Sequence, residues 1–427
     1  MATTTTSDNP HPIPLTESDV LVRGFLAANP DLDASLGPVQ VMTDRYTNEE
    51  WEAQIQETVR AVLAEVESGS RAKKVYPGPR MRDGEKALRE LSKTIDHTAL
   101  KLDATSTVID GLCSEARTEG FKSVCVRLPW VQRCVSNLKG SDVLVACVVG
   151  FHEGTQDTLH KLREARAAVQ AGATELDIVL NHTLLTQHTS PPPSSSSSSA
   201  SSNTHSHRSK TSTDTITALP NRDSAIDDIT AANTLLNTNS TSSSPPPSTT
   251  STSTTTTSNN TLQTDYSLLY RELASLRSLC PSPVTLKLIL ETSQLTHPQI
   301  LAAAHLAAAA SFDFIKTSTG FNGHGATLPH VQLMVAAAES LAKRGVGSRK
   351  LQVKASGGVR DLDTAVQMLE AGATRLGTSS GLWIMQEARR KAGEGRRMGS
   401  GGGMETDEDE DRPGGGVTRL YTDDSSY

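Results

Sequence analysis

Eight short runs rich in β-forming residues, separated by segments of helical periodicity, constrain this chain more than any other feature. The runs fall at residues 93–98, 123–127, 143–149, 175–180, 285–290, 314–319, 351–356 and 375–379. Helical patterns lie between them, for example at 158–171, 266–279, 298–310, 328–343 and 362–371. Such alternation reads as βα units on a parallel sheet, because parallel neighbours need a crossover connection. Ala-Gly-Ala-Thr recurs before two of the runs, at 171–174 and 371–374, where its glycine can end the preceding helix. Eight units predict a closed α/β fold, the TIM (β/α)8 barrel; an open doubly wound sheet is the structural alternative.

The barrel does not use the whole chain. Of 427 residues only 36% are apolar and 4% aromatic, too few for one core throughout. Three stretches carry the deficit. Residues 1–45 form a Thr/Pro-rich arm, residues 187–264 contain PPPSSSSSS and SSSPPPSTTSTSTTTT, and residues 393–427 contain GSGGG and METDEDEDRPGGG. Such segments cannot bury enough surface to offset their ordering entropy, so all three are expected to be disordered. The barrel domain is then 46–392, interrupted by 187–264. What remains is roughly 250–290 residues, the usual length of one barrel. An extra helix is expected at 48–66, where Trp51, Ile55, Val59, Val62, Leu63 and Val66 recur at helical spacing, packed on one end of the fold. The Ser/Thr/Pro insertion follows the fourth strand and therefore joins the face where barrel active sites form.

Several function classes are excluded. The net charge of −7 argues against a protein that coats a phosphate backbone. No apolar run is long enough to span a bilayer. The five cysteines include no C-x-x-C pair, and the opening MATTTTSDNPHPIP lacks the apolar core of a signal peptide. A cytoplasmic protein is expected. His97, His152, His182 and His324 are scattered, and neither a metal motif nor a G-x-G-x-x-G dinucleotide loop is present, so no cofactor is expected.

Strand alternation places the polar residues. Leu176, Ile178 and Leu180 share one face of the fourth strand, and Leu286, Leu288 and Leu290 share one face of the fifth. If helices cover those leucines, Asp177, Lys287, Lys316 and Lys354 must point into the barrel. One lysine in a strand is most often snorkelling or ion-paired, and one aspartate most often a structural acceptor. Three lysines and a carboxylate in one interior suggest a reaction centre instead. Neighbouring strands lie about 4.8 Å apart. A second ammonium at that range disfavours protonation of the first, and desolvation acts the same way. A neutral lysine can attack a carbonyl and form a Schiff base, whose iminium is an electron sink for carbon–carbon cleavage.

A second site is written in glycine. Ser356-Gly357-Gly358 follows the seventh strand, and Gly377-Thr378-Ser379-Ser380-Gly381 the eighth. Loops after these two strands often bind phosphate in barrels, through backbone N–H groups and a helix N-terminus. Thr319-Gly320 after the sixth strand can add donors.

Taken in order, Ile95-Asp96-His97-Thr98-Ala99-Leu100, Glu175-Leu176-Asp177-Ile178-Val179, Phe314-Ile315-Lys316-Thr317-Ser318-Thr319-Gly320, Val353-Lys354-Ala355-Ser356-Gly357-Gly358-Val359-Arg360 and Gly377-Thr378-Ser379-Ser380-Gly381 closely resemble the deoxyribose-phosphate aldolases, class I aldolases. The resemblance runs from about Leu91 to Trp383 once the insertion is removed. It implies a barrel that reversibly cleaves 2-deoxy-D-ribose 5-phosphate to acetaldehyde and D-glyceraldehyde 3-phosphate, in deoxyribose breakdown. By resemblance, Lys316 is the Schiff-base lysine, Lys354 the second lysine that lowers its pKa, and Asp177 the proton-transferring carboxylate. Asp96, Thr98, Cys125 and Lys287 match pocket positions. Thr319, Gly320, Gly357, Gly358, Ser379 and Ser380 match the phosphate site.

The chain departs from the family pattern at Gly150-Phe151-His152-Glu153, where many relatives have Gly-Phe-Pro, at Arg127-Leu128-Pro129 in place of Asn-Pro, and at His324 where glycine is common. Some relatives end in tyrosine, as does this chain at Tyr427, and a flexible tail of about 30 residues reaches near 30 Å. Tyr427 is therefore a candidate proton relay. The expected partners are a phosphorylated sugar and acetaldehyde, with no nucleic acid and no membrane; a homodimer or larger homo-oligomer is compatible with the fold. Competing readings are a class I barrel aldolase for another phosphorylated sugar, and a catalytically silent barrel serving as an interaction platform.

Overall fold

Each β-rich run becomes a strand and each periodic run a helix. The computed structural model of the protein describes residues 16–32, 46–186 and 264–398. Nearly all of the expected insertion, the tail beyond 398 and Tyr427 lie outside them. Strands β1 (Ile95–Thr98), β2 (Ser123–Val126), β3 (Leu144–Val149), β4 (Glu175–Val179), β5 (Thr285–Ile289), β6 (Phe314–Lys316), β7 (Gln352–Ser356) and β8 (Arg375–Thr378) pair in parallel and in sequence order, and β8 closes onto β1. Closure removes the open-sheet alternative. Helices α1 (Glu17–Ala28), α2 (Asn48–Glu67) and α3 (Glu85–Ser92) precede the barrel. Helices α4 (Ser106–Glu119), α5 (Val131–Asn137) and α6 (Thr158–Gln170) follow β1, β2 and β3. After β4 come α7 (Thr183–Thr186) and, beyond the insertion, α8 (Tyr266–Leu279). Helices α9 (His297–Ala309), α10 (Leu328–Lys343), α11 (Leu362–Glu370) and α12 (Gly381–Met398) follow β5 to β8.

Local chemistry starts these helices where the sequence places them. The side chains of Thr105, Asp157, Thr327 and Asp361 accept from backbone N–H groups in the first turns of α4, α6, α10 and α11. Each such cap stabilises by about 1 kcal/mol. The outward strand positions, among them Val124, Val126, Leu176, Ile178, Leu286, Leu288, Ile315, Val353 and Leu376, join the helices in one continuous core.

Three expectations need correction. The arm over 1–45 is not disordered throughout, because α1 lies within it. Thr16 and Asp19 form a capping box, and Val22 and Phe25 are buried where α1 packs on α8. Its apolar stripe is short and is diluted by the Thr/Pro-rich residues around it. Helix α2 lies along the helical layer, against α8, α9 and α10, rather than across one end of the barrel. Thr58 Oγ1 meets His305 Nδ1 at 2.9 Å, and Trp51 packs on Tyr270 with ring centroids 4.8 Å apart. Helix α12 runs to Met398, so residues 393–398 of the stretch expected to be disordered are helical, since Gly393 and Gly395 do not stop the helix.

Strand β6 is shorter than the β-rich run that predicts it. Beyond Lys316 the chain bends toward β7, where the Thr317 N–H donates to the Lys354 carbonyl and the Thr317 hydroxyl to the Ser356 carbonyl. Residues 317–319 continue without regular secondary structure, and the Phe321 N–H donating to Thr319 Oγ1 turns the chain at the mouth of the barrel.

Candidate active site

The strand register decides which inward side chains meet. Across the ladder, Asp177 stands opposite Lys287, Lys316 opposite Lys354, and Lys354 opposite Arg375. Asp177 collects three lysines. Its Oδ2 accepts from Lys316 Nζ at 2.8 Å and from Lys354 Nζ at 2.7 Å, and its Oδ1 from Lys287 Nζ at 2.8 Å. Lys287 also donates to Glu175 at 2.6 Å. Lys354 contacts Asp96 Oδ2 at 2.6 Å. Arg375 reaches across the barrel floor to Asp96 and Glu175, with Nε to Asp96 Oδ1 at 2.8 Å and Nη2 to Glu175 Oε2 at 2.8 Å.

All of these groups are buried. Asp96, Glu175 and Asp177 face Lys287, Lys316, Lys354 and Arg375, three acids against four bases. Buried charge is tolerated when paired, so this cluster favours the loss of one positive charge. The surroundings select which one. Burial pushes the Lys316 pKa below the ordinary lysine range; Asp177 opposes that shift and the Lys354 ammonium adds to it. Burial also acts against the charge on Lys354, but Asp177 and Asp96 outweigh it and hold its pKa above the ordinary value. Lys287 is likewise raised, with Asp177 and Glu175 overcoming its burial. Asp177 stays ionised: despite complete burial, its lysines hold its pKa well below the carboxylate range. Burial, seconded by Asp177, pushes the Cys125 thiol up to about 11, so it is a neutral neighbour of the cluster.

Above this floor a cleft opens at the strand ends. Lys316 lines it; Lys354 does not. Thr98, Thr319, Gly320, Gly357, Gly358 and Ser379 line it too. Two glycines make the geometry feasible. A Cβ on Gly377 would lie 2.9 Å from Lys354 Cε, so only glycine leaves room for that side chain. Gly357 has φ +82°, and a Cβ there would sit 2.8 Å from Gly325 Cα.

Other expected residues lie elsewhere. Asp96, Cys125 and Lys287 sit beneath the cleft rather than on its wall. Ser380 is buried, does not line the cleft, and donates its N–H to Thr378 Oγ1 at 2.9 Å. Tyr427 is outside the described residues. Sequence reasoning missed Phe321, Thr378 and Arg360 on the cleft wall, and Glu175 and Arg375 in the floor. Arg360 closes the KASGGVR motif, and alternation puts Arg375 on the face of Gly377, so both carried a readable signal. Among the described residues, no group of three or more His, Cys, Asp or Glu is placed to hold a metal ion, and no helix is long and apolar enough to cross a membrane.

Comparison with known proteins adds independent findings. The chain is 34% identical over 342 residues to a deoxyribose-phosphate aldolase of Coccidioides immitis, covering 80% of this chain and 92% of that one. It is 34% identical over 299 residues to a deoxyribose-phosphate aldolase of Brevibacillus brevis, covering 70% of this chain and 96% of the relative. A crystal structure from Coccidioides immitis, assigned to the same enzyme, superposes with a TM-score of 0.55 at 32% identity, covering 81% of this chain and 100% of that chain. No family model matches the chain.

Proposed function

The chain belongs to the deoxyribose-phosphate aldolase family, and from that premise we propose that it reversibly cleaves 2-deoxy-D-ribose 5-phosphate to acetaldehyde and D-glyceraldehyde 3-phosphate through a Schiff base on Lys316. The observation that carries this reading is the contrast between two lysines. Lys316 alone lines the cleft and has its charge disfavoured, while Lys354 lies beneath and keeps its proton.

The neutral Lys316 amine attacks C1 of the open-chain sugar, and loss of water gives an iminium. Asp177 accepts the hydrogen bond of the iminium N–H, as it does that of the free amine. A water oriented by Asp177 and Lys354 takes the proton of the C3 hydroxyl. The C2–C3 bond breaks and its electron pair moves into the iminium. C3 becomes the aldehyde carbon of glyceraldehyde 3-phosphate, and an enamine of acetaldehyde stays on Lys316. A proton returns to C2, water hydrolyses the imine, and acetaldehyde and the free amine are restored. No step requires an added oxidant or reductant.

The phosphate fits the rim. Gly320, Gly357, Gly358 and Ser379 bring backbone and hydroxyl donors to the cleft, Arg360 brings a guanidinium, and Thr319, whose donors both go to Glu291, shapes the wall. Ser380 is better read as support for that wall. The test is a coupled assay for both products from 2-deoxyribose 5-phosphate, run beside other phosphorylated aldoses. Selective release of acetaldehyde and glyceraldehyde 3-phosphate is expected. Faster cleavage of a different phosphosugar, or no cleavage of any, contradicts the assignment.

A further inference from the structure

Glu291 follows β5, and the reaction above gives it no role. Its backbone is left-handed, with φ 58° and ψ 62°, a region that few non-glycine residues occupy. The side chain is nonetheless buried, 1% exposed. Its Oε2 accepts from the Thr319 N–H at 3.2 Å and from the Thr319 hydroxyl at 2.5 Å. That hydroxyl in turn accepts from the Phe321 N–H at 3.1 Å. Oε1 is buried with no hydrogen-bond partner among the described residues. A strained backbone and a half-satisfied carboxyl persist only where the surroundings over-determine them, and such residues concentrate at functional sites.

What Glu291 grips is the turn that replaces the missing end of β6. Thr319, Gly320 and Phe321 line the cleft, and Gly320 lies against Gly357, its Cα 3.5 Å from where a Gly357 Cβ would stand. The clamp uses the N–H groups of Thr319 and Phe321 internally. Among the described residues, no hydrogen bond engages the N–H of Gly320, which lies between them. We propose that Glu291 is a positioning residue for the phosphate end of the substrate: by holding Thr319 it fixes the turn so that Gly320 offers its N–H beside the Gly357–Gly358 loop. It acts through Thr319. The inference rests on the phosphosugar reading above.

The test compares 2-deoxyribose 5-phosphate with unphosphorylated 2-deoxyribose in steady-state kinetics. Glu291→Ala should raise KM for the phosphorylated sugar by about ten- to a hundredfold, the effect of losing a hydrogen-bonded acceptor. For the unphosphorylated sugar, kcat/KM should change by less than about threefold. Glu291→Gln should restore most of the KM, because its amide oxygen can accept the same two hydrogen bonds, and burial already pushes the native carboxyl toward its neutral form. Equal losses on both sugars, or a Gln variant as impaired as the Ala variant, would overturn the clamp. Should Glu291→Ala not fold, Thr319→Val removes the hydroxyl from the other side and must give the same phosphate-selective defect; a uniform defect overturns it. If the native protein cleaves neither sugar, the proposed function fails separately. Calorimetry with inorganic phosphate then still decides the clamp, since Thr319→Val must weaken that binding and unchanged binding refutes it.

Discussion

The two sides of the barrel interior are different media. On β2 and β3 the inward positions include Cys125, Ala146 and Val148, joined by Leu100, Phe151 and Phe321, with Ser123 below them accepting from Arg375. On β1 and β4 to β8 they include Asp96, Glu175, Asp177, Lys287, Lys316, Lys354 and Arg375. Neither side alone makes a nucleophile. A lysine paired one-to-one with a buried aspartate would stay protonated, and a lysine in a purely apolar pocket would have nothing to hold it or to move its protons. Lys316 lies at the border. The apolar side removes the water that would solvate its charge, while Asp177 divides its two oxygens among three lysines and gives Lys316 only a share of one. The difference teaches that the free amine is a product of competition for one carboxylate inside a dry wall.

That comparison can be broken from either side. The largest effect is expected from Lys316→Ala, which removes the border residue and should lower turnover by more than about 10³-fold in a product assay. Lys354→Met comes next. It deletes a competitor for Asp177 and a nearby positive charge, and both changes raise the Lys316 pKa. Turnover should fall by about 10²-fold, and the acid limb of the kcat/KM profile should move to higher pH. An unmoved limb would mean that Lys354 does not compete. In the native protein the amine sheds its proton at lower pH than an ordinary lysine does, so activity should rise through that limb and level off earlier. Arg375→Leu strips Asp96 and Glu175 of their shared partner. Each keeps one lysine, Lys354 and Lys287 respectively, so the cost should fall below the about 3–5 kcal/mol of a wholly unpaired buried charge, to be read as a lower denaturation midpoint. Gly357→Ala should weaken substrate binding before it affects chemistry, because φ is +82° there and Gly325 blocks the Cβ; an unchanged KM would contradict the rim assignment. The smallest effect is expected on the apolar side. Cys125→Ala keeps the wall neutral, so turnover should change by less than about tenfold and stability by about 1 kcal/mol. A loss as large as that of Lys354→Met would make the thiol a participant.

Much of this arrangement was legible in the sequence. Period-two alternation, with the leucine faces of the fourth and fifth strands turned to the helices, places Asp177, Lys287, Lys316 and Lys354 inside from the sequence pattern. The cross-barrel partners were harder. Glu175 shares a face with Asp177, but a charge at the start of a strand normally reads as solvated. Its contact with Arg375 exists because the barrel closes, and closure leaves no local signal. Glu291 follows Lys287 and Ile289 by alternation, yet its left-handed turn and its grip on Thr319 depend on where β6 ends. Ser380 shows the opposite error. It belongs to the right motif, but a turn at Thr378 puts it behind the wall. Helix α1 escaped because a few apolar residues in a Thr/Pro-rich arm form a helix only when α8 is there to receive them.

The free amine on Lys316 is tested most directly by chemical trapping. The protein is incubated with acetaldehyde, reduced with borohydride, digested and mapped by mass spectrometry. A reduced two-carbon adduct on Lys316, abolished in Lys316→Ala and absent from Lys354, is expected. An adduct on Lys354 instead, or no adduct on either lysine in a protein that still releases acetaldehyde, would contradict it.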